Sequence, residues 1–281
     1  MRTNPTGRQQ RLGAELRKLR ERAGLTSTQA SQLLGVKQNQ VSNTESGRMG
    51  VSPERVRTLA CHYNCGDKAL VQALCDMAAE RTRGWWEEYR GILSAGLLDL
   101  AEVEHHAVRL RTAITLHIPG PLQTAEYARA VFRQAVPELP PSDVEHRVSF
   151  RMKRQAVLFR DSPTPQEVVI HEAALRMRLG GPSVTRAQLK YLLDLNDLPH
   201  ISVRVLPFAA ECLPGSGQSF FYFAGRVPQL DTVNLDQVHG PVFLDADAQL
   251  TKYRLLLDRL EEVSLTPEKS QCLIHDISRE L

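Results

Sequence analysis

Four side-chain amides crowd the stretch "GVKQNQVSNTESG", at Gln38, Asn39, Gln40 and Asn43. Each amide carries a donor and an acceptor on one plane, the pattern that pairs in bidentate fashion with N6 and N7 of adenine. Asn and Gln give a short helix little packing energy, and only Val41, with Val36 before it and Thr44 after it, is available to pack. The chemistry this stretch is equipped for is recognition of base edges rather than the making of bonds. No other set of residues has as clear a chemical use. Cys61, His62 and Cys65 come closest to a metal pattern, because positions 61 and 65 share a helical face, but no second pair follows at a zinc-finger distance. His171 and Glu172 adjoin on a strand and point to opposite faces. His105 and His106 diverge by about 100° on a helix. There is no P-loop, no nucleophile elbow, no dinucleotide fingerprint and no carboxylate pair with a role. The glycines of "GGPS" and "LPGSGQS" lack the strand-to-helix context of a phosphate loop. Neither enzyme, metal site nor cofactor is expected.

The elements that must position the amides are legible as short helices. Leu12, Leu16, Leu19 and Ala23 recur at helical spacing in a first helix closed by Gly24. Thr26 reads as the N-cap of a second, with Ala30, Leu33 and Leu34 inward and Gly35 ending it. The amide stretch is the third. Ser52 and Pro53 open a fourth carrying Val56, Leu59 and Ala60, and a fifth runs from about Lys68 to Glu80. Two short helices across a tight glycine turn, the second poor in apolar residues, form a helix-turn-helix signature.

Charge is uneven along the 281 residues. Residues 1–60 hold eleven Lys/Arg against four Asp/Glu, whereas residues 61–281 hold 24 against 28. A basic head on a mildly acidic body suits a head that meets a polyanion. No apolar run approaches the roughly 18 residues of a spanning helix. "MRTNPTGRQQR" lacks the apolar core of a secretory signal. Five irregularly spaced cysteines argue against a disulfide framework. A cytoplasmic protein without membrane association is expected.

The segment "LRKLRERAGLTSTQASQLLGVKQNQVSNTESGRMGVSPERVRTLA" resembles the Cro/C1-type (Xre-type) helix-turn-helix domain of repressors. The resemblance implies that Gln38, Asn39, Gln40 and Asn43 face bases, that Lys37 and Arg48 hold phosphates, and that Ser27 and Thr28 touch the DNA backbone. It also implies that Glu45 is structural, pairing with Arg20 of the first helix. Ala30 and Thr44 depart from the larger aliphatics typical of the family and suggest a slightly under-filled core.

Beyond "ERTRGWWEEYRG" the composition changes, and a domain boundary is placed near Arg83. This gives a five-helix domain over 1–83 and a larger α+β domain over 84–281 with a small, mostly antiparallel sheet. Helices are expected at about 97–115, from Thr124, over 142–160, and at "TRAQLKYLLDLN", "DADAQLTKYRLLLDRLEEV" and "TPEKSQCLIHDISREL". Strands are expected at "EVVIHE", "ISVRVLPF", "SFFYFAG" and "TVNLD". The blocks "PGPLQTAEYARA", "RMKRQ", "VVIHEAALRMRLGG", "QLKYLLDL", "VRVLPFAAE" and "SLTPEKS" resemble, in order, the C-terminal domain of unknown function of a large actinomycete family of Xre-type regulators. One departure is Pro121, where a second leucine is usual. These proteins are called antitoxin-like because a small protein is often encoded beside them. The resemblance implies a homodimeric regulator on double-stranded DNA whose C-terminal half binds a small neighbour-encoded protein or a small-molecule ligand. An antitoxin-like role, with DNA binding serving autoregulation, is the alternative. Trp85 and Trp86 read chiefly as domain-packing residues. Together with Phe221 and Phe223 they are also candidates for a ligand or partner pocket. In "FFYF", Phe220 to Phe223, alternate members are equally well explained as sheet core.

Overall fold

The computed structural model describes residues 5–80 and 84–281. The chain forms two compact units, one ending at Glu88 and the next beginning at Tyr89. The boundary read near Arg83 falls on residues outside those described.

The N-terminal unit contains α1 (Gly7–Arg22), α2 (Ser27–Leu33), α3 (Gln38–Glu45), α4 (Pro53–His62) and α5 (Lys68–Ala79). Polar caps start α2 and α4 where the sequence suggests. Thr26 Oγ1 accepts from the Gln29 N–H at 3.2 Å, and Ser52 Oγ accepts from the Arg55 N–H at 3.2 Å. Leu12, Leu16 and Leu19 of α1 are buried with Ala30, Val56, Leu59, Leu70 and Leu74. Leu33 differs from expectation and is 49% exposed. Ala30 and Leu34 share the inward side of α2 at i, i+4, and Leu33 is turned off it.

The C-terminal unit contains α6 (Ala95–His106), β1 (Arg109–Ile114), α7 (Ala125–Phe132), α8 (Pro141–Arg154), α9 (Ala156–Phe159), β2 (Gln166–His171), α10 (Glu172–Arg176), α11 (Pro182–Asn196), β3 (Ile201–Leu206), β4 (Phe220–Ala224), β5 (Thr232–Gln237), β6 (Gly240–Leu244), α12 (Asp247–Val263) and α13 (Pro267–Arg279). Six strands make one open sheet in the order β3-β2-β1-β4-β5-β6. β1, β2 and β3 run parallel, and the pairings from β1 through β4 and β5 to β6 are antiparallel. The sheet is therefore larger and more mixed than the sequence suggests. The helix expected over 97–115 ends at His106, and its last third is the central strand β1. Pro121 sits in a buried 3-10 turn and leaves the Thr124 cap of α7 intact.

One face of the sheet, with Val168, Ile170, Val203 and Val205, packs on α7, α9, α10, α11 and α13. On the same face Leu110 and Phe223 meet α6 through Leu100 and Val103. The other face presents Ala113, Val169, Phe220, Tyr222 and Val233 to Leu250, Leu257 and Leu260 of α12. α6 and α8 are tied by a buried pair, Arg154 Nε to Glu104 Oε2 at 2.8 Å and Nη2 to Oε1 at 3.1 Å.

Candidate nucleic-acid interface

The turn between α2 and α3 needs a left-handed residue, and Gly35 supplies it at φ +62°. The Gly35 N–H then reaches Gln32 O at 3.2 Å and the Val36 N–H reaches Ser31 O at 3.0 Å, which closes the end of α2. α3 follows with a single buried residue, Val41. So little apolar surface cannot orient a helix, and polar contacts do so instead. Arg20 grips Glu45 with Nε–Oε1 at 2.6 Å and Nη2–Oε2 at 2.9 Å, while Nη1 donates to Leu25 O at 2.6 Å. The hydrogen bond that Arg20 donates to Glu45 holds the Arg20 pKa above its ordinary value. Both side chains are almost closed to solvent, at 8% and 10% exposure. The approach of α1 to α3 depends on Gly13, where a Cβ would stand 2.5 Å from the Glu45 carbonyl oxygen and 2.6 Å from that of Thr44.

With α3 fixed in this way, Gln38, Asn39 and Ser42 are exposed and Asn43 is half-buried. Asn39, Ser42 and Asn43 follow at i, i+3 and i+4, one continuous side of the helix. Ser42 was not singled out from the sequence, although its spacing from Asn39 is the signal for it. Gln38 Nε2 donates to Ser27 Oγ at 3.0 Å, which fixes its amide plane against the start of α2 and leaves Oε1 and one N–H outward. Gln40 is set apart from the row. Its Oε1 accepts from the Lys37 N–H at 3.3 Å, and the residue lines a cavity on the inner side of α3. Lys37 and Arg48, at the two ends of α3, are exposed and have no ion pair among the described residues. Thr28 is exposed and Ser27 half-exposed beside them.

The inner cavity measures about 260 Å³ and is lined by Val36, Val41, Thr44, Leu59 and Tyr63 among others. Thr44 lines it together with the exposed residues Gln40 and Met49. Ala30 is fully buried and does not line it.

The aromatic candidates fall elsewhere. Trp85 and Trp86 stand edge to face, ring centroids 6.0 Å apart, and the Trp86 ring covers Gly84. Phe221 and Phe223 stack at 6.3 Å on the α6 side of the sheet, where Phe223 is core. The large cavity of this unit lies on the opposite side and is lined by Phe220. Among the described residues no three His, Cys, Asp or Glu stand together as metal ligands, and no helix is long and apolar enough to cross a membrane.

Comparison with known families matches residues 11–74 to a helix-turn-helix domain and residues 97–276 to the Domain of unknown function (DUF5753). No curated protein and no solved structure matches the chain. The second match covers well over half of the sequence, and the chain belongs to the DUF5753 family, with a helix-turn-helix domain ahead of the family domain.

Proposed function

We propose that the protein is a cytoplasmic, non-enzymatic transcriptional regulator of the Cro/C1 (Xre) type that binds an inverted-repeat operator as a homodimer. The observation that carries this reading is the outer row of α3. Gln38, Asn39, Ser42 and Asn43 lie on a helix whose orientation is locked from beneath by Arg20 and Glu45, between two uncommitted cations, Lys37 and Arg48. Amides and a hydroxyl held at fixed angles suit direct readout in the major groove. The flanking cations, with Ser27 and Thr28 at the start of α2, suit phosphates and set the register. Gln40 serves the helix terminus and is left out of the base-reading set. The C-terminal unit carries dimerisation and the response to a small protein or small-molecule signal.

Selection of duplexes from a random pool by the full-length protein tests this directly. A two-fold symmetric site with half-sites about 34 Å apart, one helical turn, is expected. Recovery of no enriched sequence would remove the operator-binding role.

A further inference from the structure

The C-terminal unit holds a cavity of about 570 Å³ that DNA binding does not use. Its place in the fold is telling. β1, β2 and β3 run parallel, and their carboxyl ends, at Thr115, His171 and Leu206, all open into it. On its other side β1 meets antiparallel β4, whose first residue, Phe220, lines the cavity too. Open sheets seat ligands outside the carboxyl ends of their parallel strands, where the strand arrangement switches. The volume lies within the roughly 300–1,000 Å³ of small-molecule sites. Tyr253 and Leu256 of α12 form the far wall, and Tyr253 packs its ring on Phe220 at 4.8 Å between centroids. Residues 213–218 roof it, with Gly215 so close that a Cβ there would stand 2.9 Å from Leu256 Cδ1.

The one permanent charge on this wall is cationic, with the neutral polar side chains Thr115, Ser216, Gln218 and Gln249 beside it; among the described residues no Asp or Glu lines the cavity. Lys252 is its only permanent cation and has no ion pair among the described residues. His171 Nδ1 accepts from the Ala173 N–H at 3.2 Å, so the proton of the neutral ring sits on Nε2. That Nε2–H has no hydrogen-bond partner among the described residues, and the edge of Phe208 at 5.3 Å steadies the ring. An ammonium and an imidazole N–H beside an apolar hollow suit one singly charged acceptor. A ligand cation would be repelled by Lys252, whereas a carboxylate offers an acceptor to both donors.

We infer that this cavity binds a small monocarboxylate with an apolar body, its head on Lys252 and His171 and its body along Phe220, Tyr253 and Leu256. The inference deepens the proposed signal-binding role and rests on it only for the effect at DNA. Calorimetric titration of the full-length protein with decanoate, decan-1-ol and decylamine tests it. Decanoate is expected to bind one per chain, about tenfold tighter than the alcohol, the size of one charge-assisted hydrogen bond, and tighter still than the amine. Lys252→Met should weaken decanoate about tenfold, leave decan-1-ol unchanged and, because Lys252 is exposed, leave the Tm of the unliganded protein unchanged. His171→Phe, which keeps a ring beside Phe208, should also weaken decanoate alone. Equal affinity for acid and alcohol, decanoate binding indifferent to Lys252→Met, or no binding by any probe would each overturn the site. Operator affinity measured on the same samples separates the two claims. Decanoate binding without a change at DNA leaves the site standing and removes ligand control, whereas intact operator binding without decanoate binding removes the site alone.

Discussion

Side-chain amides serve opposite ends on α11 and on α3. On α11, Gln188 is fully buried, with Oε1 accepting from the Thr124 N–H and Nε2 donating to Leu122 O, both at 2.7 Å. It lies in a stripe with Leu189, Leu192 and Leu195, each worth about 1.5–3 kcal/mol when fully buried. On α3, Asn39 is exposed and has no hydrogen bond to the described residues, and one apolar side chain is all the helix buries. An amide that holds the fold is committed to the backbone. An amide meant for a partner is kept outward, and the helix beneath it is aimed by a few directional contacts instead of by a stripe. α3 is thus oriented chiefly by the Arg20–Glu45 fork, and its outer row, where the Gln38–Ser27 bond is exposed, stays free of packing demands.

The contrast can be broken first at the fork. Glu45→Ala strands the Arg20 guanidinium among closed side chains and should cost about 3–5 kcal/mol, seen as a lower urea midpoint of the N-terminal unit and loss of operator binding. Gln188→Ala should cost about 3 kcal/mol by leaving the buried Leu122 O and the half-buried Thr124 N–H without their partner, with melting of the C-terminal unit as the readout. Gly13→Ala drives a methyl into two carbonyl oxygens of α3 and should cost about 1–3 kcal/mol, the range of overpacking. Its telling sign would be a larger loss of operator affinity than stability alone explains, because α3 is re-aimed. Thr44→Ile sharpens the comparison in the other direction. It adds apolar volume to the 260 Å³ cavity and should raise stability by about 1 kcal/mol in thermal unfolding, with operator sequence preference unchanged. Smallest is Lys37→Ala, which should reduce the salt slope of DNA binding by about one unit and weaken all sequences alike.

Much of the N-terminal unit was legible because its signals are local. Thr26, Ser52 and Gly35 mark helix ends within a few residues of the features they control, and the Arg20–Glu45 pair follows from the family pattern. Gln40 has a local partner that its position foretells, because a Gln at the third position of a helix reaches back to the N–H of the residue before the helix. The C-terminal unit is legible in four of its strands and in its helices apart from α10, which begins at the Glu172 read as strand, and the break between α8 and α9 within the helix read over 142–160. β1 escaped because it is central. The alternation of "RLRT" is short and gives way to the buried run Thr112, Ala113 and Ile114, so the stretch reads as a continuation of the helical spacing of α6. β6 escaped for the opposite reason, as a short edge strand with every residue half-buried. The cavity had no sequence signature, since it is assembled from the ends of strands more than fifty residues apart in the chain for β1 and β2, and thirty or more for β2 and β3.

The central claim is that the outward amides of α3 read bases and contribute little to the fold, Gln38 through one exposed bond to Ser27 and Asn39 through none. Fluorescence-anisotropy titrations of the selected operator and a scrambled duplex, run with the native protein and with the Gln38→Ala/Asn39→Ala variant, test it. Loss of roughly 1–3 kcal/mol of discrimination per lost amide, with weak salt-sensitive binding retained and an unchanged Tm, is the expected result. Undiminished discrimination, or a drop in Tm that accounts for the lost affinity, would contradict it.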